Sequence, residues 1–257
     1  MNSDSANATS AFRLKGEAWD SSTYLNALGH AVKNAAACDR LVEEQWGVPS
    51  FQALLWHEIC SEYDARRFAE HIHQLGPSLT TEFQCFEKAW LADENNHYSG
   101  FRQLYVTAFG GSVIELDAEI ADRRASLDSL MFLQDEFSAC VVLAYDEAVT
   151  AKAYPMDYKI YDRLGDSALS RWIRRVCRDE LYHCRNVTEV LKHRHADRLA
   201  EIPGLLATVM EWDQHSAEYS ATFVLDHQRF PAPLLNESRG MVLKLCDGIK
   251  LSSEPRR

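Results

Sequence analysis

The chain contains the pentapeptide Asp-Glu-x-x-His twice, as DENNH at residues 93–97 and as DELYH at residues 179–183. Each copy lies in a long stretch whose apolar residues recur at helical spacing. A Glu and a His three residues apart lie on the same face of a helix, so one turn can offer a carboxylate oxygen and an imidazole nitrogen to one metal ion. Two such turns predict a site for two metal ions inside a helical bundle.

A third Glu-x-x-His occurs at residues 70–73, but Ala69 precedes it and Gly76-Pro77 follows it closely. We interpret this third copy as the solvent-exposed surface of a helix near its end. The preceding Asp makes the other two copies specific, because Asp-Glu-x-x-His is expected only roughly 0.05 times by chance in a chain of this composition. The two full motifs therefore carry the prediction.

A site for two metal ions needs one further carboxylate from each of two other helices. Glu147 lies 33 residues before Glu180, within an apolar stripe that should face the core. Before Glu94 there are two candidates one turn apart, Glu58 and Glu62, which periodicity does not separate. Glu62 lies 32 residues before Glu94, and we favour it because this spacing is close to the other one. Glu58 remains the alternative.

Asp93 and Asp179 directly precede the two motif glutamates. An aspartate in this position can accept the free ring N–H of a ligand histidine and so fix which ring nitrogen faces the metal. Because both motifs carry the Asp, we expect this role rather than simple solvation.

The sequence predicts an almost entirely helical chain, because Gly and Pro are sparse, at 11 and 7 residues. Pro155 is predicted to end or kink the fourth helix, and residues 112–126 are predicted to form a long crossover with a short helix. The predicted fold class is all-α, a ferritin-like four-helix bundle with additional flanking helices. The predicted helices cover residues 22–46, 50–75, 78–109, 127–153, 166–195, 199–226 and 233–249.

Composition sets the domain organisation and excludes some partners. We expect a disordered N-terminus over residues 1–16, a single helical domain over 17–250 and a flexible tail over 251–257. The formal net charge of −11 disfavours nucleic acid as a partner. No apolar stretch approaches the length of a membrane span, and the start has no secretory signal, so we expect a cytoplasmic protein without membrane insertion. The seven cysteines are expected to be reduced thiols.

The chain resembles the soluble acyl-carrier-protein desaturases of the ferritin-like di-iron family. Residues 90–97, WLADENNH, are similar to that family's Trp-x-Ala-Glu-Glu-Asn-x-His. Residues 165–183 and 49–62 carry further similarity, and the latter, ending in Ser61-Glu62 where the family has Thr-Glu, strengthens the choice of Glu62. The similarity covers roughly residues 49–195. The chain departs from the family at Tyr182, where Arg is frequent, and is shorter than the plant desaturases.

This resemblance implies a ligand set and a catalytic residue. Thr150 matches a threonine that lines the oxygen pocket of such desaturases and assists proton delivery. The cofactor implied is a pair of iron ions cycling between Fe2+ and Fe3+, with manganese in one position as an alternative. The six implied metal ligands are Glu62, Glu94, His97, Glu147, Glu180 and His183.

The expected function is O2-dependent oxidation of an acyl chain, by desaturation or hydroxylation, with the chain carried as a thioester of acyl carrier protein or CoA. The sequence shows no flavin, nicotinamide or iron–sulfur motif, so electrons are expected from a ferredoxin-type donor. The family also suggests a homodimer. The alternatives are another di-iron oxygenase, such as an N-oxygenase or an aldehyde-deformylating enzyme, and a ferritin-like ferroxidase. Five apolar residues are expected to shape an acyl channel: Trp56, Phe101, Met131, Phe132 and Phe137.

Overall fold

The computed structural model describes residues 12–25, 31–76, 79–123, 131–215, 225, 227 and 230–247, with the backbone alone for 31–34. Every regular element in these ranges is helical, which confirms the all-α prediction. Short 3-10 helices cover Ala31–Cys38 and Ala196–Glu201. The α-helices are α1 (Ser22–Leu25), α2 (Asp39–Trp46), α3 (Phe51–His73), α4 (Thr81–Phe109), α5 (Val113–Asp122), α6 (Glu136–Arg163), α7 (Ser167–Arg194), α8 (Ile202–His215) and α9 (Ala232–Asp247).

The four longest helices, α3, α4, α6 and α7, form the centre of a helical bundle. α3 packs on α4, α6 packs on α7 along most of its length, and α4 joins the two pairs through its contact with α7. At this contact Trp172 of α7 lies against the backbone of Gly100, so closely that a Cβ at Gly100 would come within 2.5 Å of the indole. The glycine therefore sets the distance at which the two motif-bearing helices meet.

Side chains at the helix starts explain the boundaries of these long helices. Ser50, Thr80 and Asp135 each accept a hydrogen bond from a backbone N–H of the first turn that follows. Asp166 does the same at the start of α7, directly after Gly165, whose φ of 82° lets the chain reverse between α6 and α7. The predicted bounds of these helices agree with the structure except at α6.

The prediction for the fourth helix was wrong at both ends, because α6 begins at Glu136 and runs through Pro155 to Arg163. Proline removes the N–H that would bond to the carbonyl four residues earlier. Here that carbonyl, of Ala151, accepts a hydrogen bond from the Cys177 thiol of α7 at 3.6 Å. A partner from another helix thus replaces the missing backbone bond, which a local reading of Pro155 does not foresee.

Three other predictions meet the structure as follows. The crossover contains the expected short helix, α5, which has a capping box between Ser112 and Glu115. The predicted helix at 22–46 is instead α1, a 3-10 segment and α2, with residues 26–30 outside the described part. The predicted helix at 199–226 is α8 up to His215, and residues 216–224 lie outside the described part, as do 127–130 and 248–250.

The chain ends are described in part. Of the N-terminus predicted to be disordered, residues 1–11 lie outside the described part, and so does the predicted tail at 251–257. Lys15, however, exchanges two backbone hydrogen bonds with the side chain of Asn186 on α7. Within the described ranges, no helix combines the length and the apolar character that crossing a bilayer requires.

Candidate metal centre

The four long helices bring all six predicted ligands into one buried cluster. Glu62 comes from α3, Glu94 and His97 from α4, Glu147 from α6, and Glu180 and His183 from α7, and none is more than 6% exposed. Their ligand atoms form two groups whose members lie within 4.8 Å of one another. One group is Glu62, His97 and Glu180; the other is Glu94, Glu147, Glu180 and His183. Glu180 belongs to both groups, as a carboxylate that bridges two metal ions must.

The two histidines present the same ring nitrogen to these carboxylates. Nδ1 of His97 lies 3.3 Å from Oε1 of Glu180 and 3.5 Å from Oε2 of Glu62. Nδ1 of His183 lies 3.1 Å from Oε2 of Glu180 and 3.2 Å from both Glu94 and Glu147. Each group therefore has one imidazole nitrogen facing two or three carboxylate oxygens.

The other ring nitrogen of each histidine meets the aspartate of the opposite motif. Nε2 of His97 lies 3.3 Å from Asp179, and Nε2 of His183 lies 3.2 Å from Asp93. A metal ion bound at Nδ1, among the ligand carboxylates, would leave the ring proton on Nε2, where the aspartate accepts it. Both aspartates thus stand where the sequence suggested, but each supports the histidine of the other helix.

Three aromatic side chains donate hydrogen bonds to this cluster. Trp19 Nε1 donates to Asp179, and Trp90 Nε1 donates to Oε1 of Glu147 at 2.7 Å. The Tyr154 hydroxyl donates to Glu58 at 3.0 Å and to Glu62 at 3.4 Å. Trp90 is the first residue of the motif at residues 90–97, whereas nothing in the sequence pointed to Trp19 or Tyr154.

The same contacts separate Glu58 from Glu62. Glu62 is 6% exposed and belongs to a group of ligand atoms, whereas Glu58 lies one turn away and accepts the Tyr154 hydroxyl. The geometry therefore places Glu62, rather than Glu58, among the residues that could hold a metal ion.

Several buried atoms of the cluster have no hydrogen bond. Oε2 of Glu62, Oε1 of Glu94 and Nδ1 of His97 have no hydrogen-bond partner within the described ranges. Buried polar atoms are normally paired, because leaving one unpaired costs about 1–3 kcal/mol. Oε2 of Glu62 lies 3.5 Å from Nδ1 of His97 in one group, and Oε1 of Glu94 lies in the other group, so one cation in each group would satisfy them. The donor set of carboxylate oxygens and imidazole nitrogens suits iron and manganese.

The pKa shifts of the cluster carboxylates also indicate a site for bound cations. Burial, and then the charge of Glu94, raise the pKa of Glu62 well above its ordinary value. Burial also raises the pKa of Glu147, against the opposing charge of His183. Burial acts in the same direction on Glu180, but the neighbouring imidazoles of His183 and His97 outweigh it and hold the pKa of Glu180 below its ordinary value. Bound divalent cations would let all these carboxylates ionise.

A cavity of about 110 Å³ opens onto the four ligand carboxylates. It extends between α3 and α6 toward the end of α2 and the segment containing His227 and Phe230. Thr150, the predicted catalytic residue, lies on its wall, and its hydroxyl donates to the Asp146 carbonyl at 3.2 Å. The cavity is the space beside the candidate metal centre in which a substrate can lie.

The residues expected to shape an acyl channel do not line this cavity. Phe101 packs edge-on against Trp172 at a centroid distance of 4.8 Å, and Trp56 packs against Tyr105 at 6.3 Å. Met131, Phe132 and Phe137 lie by the start of α6, where they border a separate surface pocket. Phe101 and Phe137 are buried core residues and Met131 is 57% exposed, so their apolar character carried no information on which cavity they face.

The third Glu-x-x-His lies at the surface, as interpreted from the sequence. Glu70 and His73 are exposed, and His73 pairs with Glu87 at 3.0 Å rather than with the metal cluster. This copy gives an internal control for the two motifs that carry an Asp.

No known protein family, no curated protein and no solved structure matches the chain.

Proposed function

We propose that this protein is an O2-dependent oxidase that binds two iron ions in the cluster of Glu62, Glu94, His97, Glu147, Glu180 and His183. The observation that carries the proposal is the pair of buried ligand groups that share Glu180. A single structural ion would need one group, whereas two ions that act on one O2 molecule need two groups joined by a common carboxylate. Manganese in one position is compatible with the same ligands.

The motifs similar to those of the acyl-carrier-protein desaturases support this proposal, and with it a ferritin-like arrangement of the four long helices. They also support an acyl thioester of acyl carrier protein or CoA as the substrate, a ferredoxin-type protein as the electron donor and a homodimer. These remain proposals that rest on residues 90–97 and 165–183.

Two bound iron ions supply the redox chemistry by which O2 is reduced. The residues of the chain hold and orient the reactants. Asp179 and Asp93 keep the proton of each histidine on Nε2 and so aim Nδ1 inward. The cavity would hold the substrate against the ligand carboxylates, and the Thr150 hydroxyl on its wall would pass a proton. In hydroxylation, one O2, two electrons and two protons convert a C–H bond to C–OH and release one water.

Anaerobic loading with ferrous iron tests the proposal. We expect about two iron ions per chain, measured by plasma mass spectrometry, and a transient visible absorption after a pulse of O2. Glu94→Ala should lose the transient absorption and about one of the two iron ions, because Glu94 is buried in the group of ligand atoms around His183. Glu70→Ala is the matched control, since Glu70 belongs to the exposed third Glu-x-x-His and should change neither signal. Iron content well below one per chain in the unaltered protein would overturn the proposal.

The alternative of a ferroxidase gives a different result in the same experiment. A ferritin-like ferroxidase would oxidise and retain iron added far beyond two ions per chain, without any reductant. The oxidase should stop after the first two iron ions are oxidised and should resume O2 uptake only when an electron donor is added. O2 consumption followed with an electrode, with and without reductant, separates the two.

A further inference from the structure

The wall of the cavity carries acidic groups beyond the metal ligands. Besides Glu62, Glu94, Glu147 and Glu180, three carboxylate residues line it, Glu58, Asp146 and Asp157, and among the described residues no lysine or arginine does. An acyl chain brings no positive charge to such a wall. Because carboxylates are costly to keep charged in a buried space, their presence suggests a ligand that offsets their charge.

Partial exposure or a nearby histidine accounts for two of these three carboxylates, since Glu58 is half-buried and Asp146 lies beside His227. Glu58 accepts the hydroxyl of Tyr154. Asp146 accepts the backbone N–H of Leu225 at 3.1 Å and lies 3.6 Å from Nε2 of His227. The protein itself therefore accounts for the positions of Glu58 and Asp146.

Asp157 differs from the other two. It is 3% exposed, its side chain accepts a hydrogen bond from Trp46 Nε1, and it forms no ion pair with any described Lys, Arg or His. Burial raises the pKa of Asp157 to about 7, against the smaller opposing effects of Trp46 and Lys159. A carboxylate in this situation gains more from a bound cation than a solvated carboxylate does.

Asp157 lies on the face of α6 that lines the cavity. Glu147, Thr150, Tyr154 and Asp157 follow one another at helical spacing and all line the cavity. Ten residues separate Glu147 from Asp157, which corresponds to about 15 Å along the helix. A ligand held at Asp157 can therefore extend along α6 toward the metal ligands.

The surroundings of Asp157 suit an organic cation. The Trp46 indole, which holds the carboxylate, packs against Phe230 at a centroid distance of 4.9 Å, and both rings line the cavity. Aromatic rings attract ammonium groups and also cover the apolar part of a ligand. Val48, Leu54 and Ala153 complete the apolar part of the wall.

We propose that the cavity binds a small primary ammonium compound with an apolar body, whose cationic group pairs with Asp157 beside Trp46 and Phe230 and whose other end reaches the metal ligands. The identification of this ligand as the compound that is oxidised rests on the proposed function; its binding does not. This ligand class differs from the acyl thioester that the sequence motifs support, and the titration below decides between the two.

Calorimetric titration at pH 8 tests the proposal with probes of equal length and different charge: hexylammonium, 1-hexanol and hexanoate, together with the thioester S-hexanoyl N-acetylcysteamine. We expect hexylammonium to bind roughly tenfold more tightly than the other three, as a charge-assisted hydrogen bond in a buried site provides. Equal binding of hexylammonium and 1-hexanol, or tightest binding of the thioester, would refute the proposal without any variant.

Asp157→Asn assigns the effect to one residue. The asparagine carbonyl oxygen can still accept the Trp46 hydrogen bond, so the fold should persist while the preference for hexylammonium falls to within about twofold. Asp162→Asn is the control, because Asp162 lies on the same helix but is exposed and pairs with Arg174. A preference that survives Asp157→Asn would also refute the proposal. These titrations do not require iron oxidation, so a protein that binds hexylammonium but not iron would refute the oxidase alone.

Discussion

The two halves of the candidate metal centre are built from the same motif and differ in what surrounds it. In the His97 half, the aspartate that supports the histidine has a side chain only 2% exposed and is covered by Trp19. In the His183 half, the corresponding aspartate is 30% exposed. The His97 half comprises Glu62, His97, Asp179 and Trp19, and the His183 half comprises Glu94, Glu147, His183, Asp93 and Trp90; the two halves share Glu180.

This difference shows that the repeated Asp-Glu-x-x-His motif predicts the candidate ligands but not the burial of the residues around them. Buried hydrogen bonds are stronger than exposed ones, because no water competes for them. The His97 imidazole is therefore held more firmly than that of His183, whereas His183 faces one carboxylate more. We expect two metal ions to bind with unequal affinity, and the following changes test how far the two halves differ.

Removal of the residue shared by both halves should have the largest effect. Glu180→Ala takes a ligand from both groups, so iron content should fall from about two ions per chain to nearly none. Glu147→Ala removes a ligand from the His183 half alone and should leave about one. If both variants retained the same amount of iron, the halves would not be joined through Glu180. Mass spectrometry of desalted protein gives the stoichiometry.

Asp157 shows what a buried carboxylate outside both halves does to stability. Since the pKa of Asp157 is raised from 3.8 to about 7, the folded protein keeps its proton as the unfolded chain loses it, and stability falls as pH rises between these values. Asp157→Asn removes this loss and should stabilise the protein at pH 8 by at most roughly 4 kcal/mol. At pH 4 the gain should vanish. Chemical denaturation at both pH values measures it; a gain independent of pH would contradict the assignment.

Substitution of the supporting aspartates compares the halves directly. Asp179→Asn should weaken iron binding by about 10- to 100-fold, because the buried His97 then faces a neutral amide in place of the charged acceptor that fixes its proton. Asp93→Asn should cost less, since Asp93 is 30% exposed and water can reach its position and accept the same proton. Competition with a ferrous chelator gives both affinities. Equal losses would mean that the difference in exposure has no energetic consequence.

The smallest effect is expected from the aromatic donors to the lone glutamates. Trp90→Phe removes a 2.7 Å hydrogen bond to Glu147, and Tyr154→Phe removes a hydroxyl that Glu58 and Glu62 share at longer distances. Each change should cost about 1 kcal/mol of iron-binding free energy, with Trp90→Phe the larger. The same chelator competition measures them, and Phe86→Leu, which alters packing against Trp90 without touching a ligand, is the control.

The sequence predicted the helical class and the residues of the cluster because both depend on local spacing. A Glu and a His three residues apart share a helix face wherever the helix lies, and the 32- and 33-residue intervals reflect two similar helix pairs. The choice between Glu58 and Glu62 depended on one helical turn. To separate the two, one must know which side of α3 faces the cluster and which faces Tyr154, and the spacing of apolar residues does not determine this.

The features that were missed depend on contacts between distant parts of the chain. Trp19 lies 160 residues before Asp179, and no local pattern links them. Helix α6 continues beyond Pro155 because a thiol on another helix takes the free carbonyl. The polar wall of the cavity likewise depends on Asp157, which a helix ending at residue 153 would have left outside the bundle.

The crossed support of the histidines has a consequence for the assembly of the chain. His97 on α4 needs the aspartate of α7, and His183 on α7 needs that of α4, so neither helix pair alone can present an oriented imidazole. Fragments that contain only α3 and α4 or only α6 and α7 would carry the ligands yet bind metal weakly. Metal binding and association of the two helix pairs favour each other reciprocally. A metal titration of the two mixed fragments would therefore measure the free energy with which the α3–α4 pair associates with the α6–α7 pair.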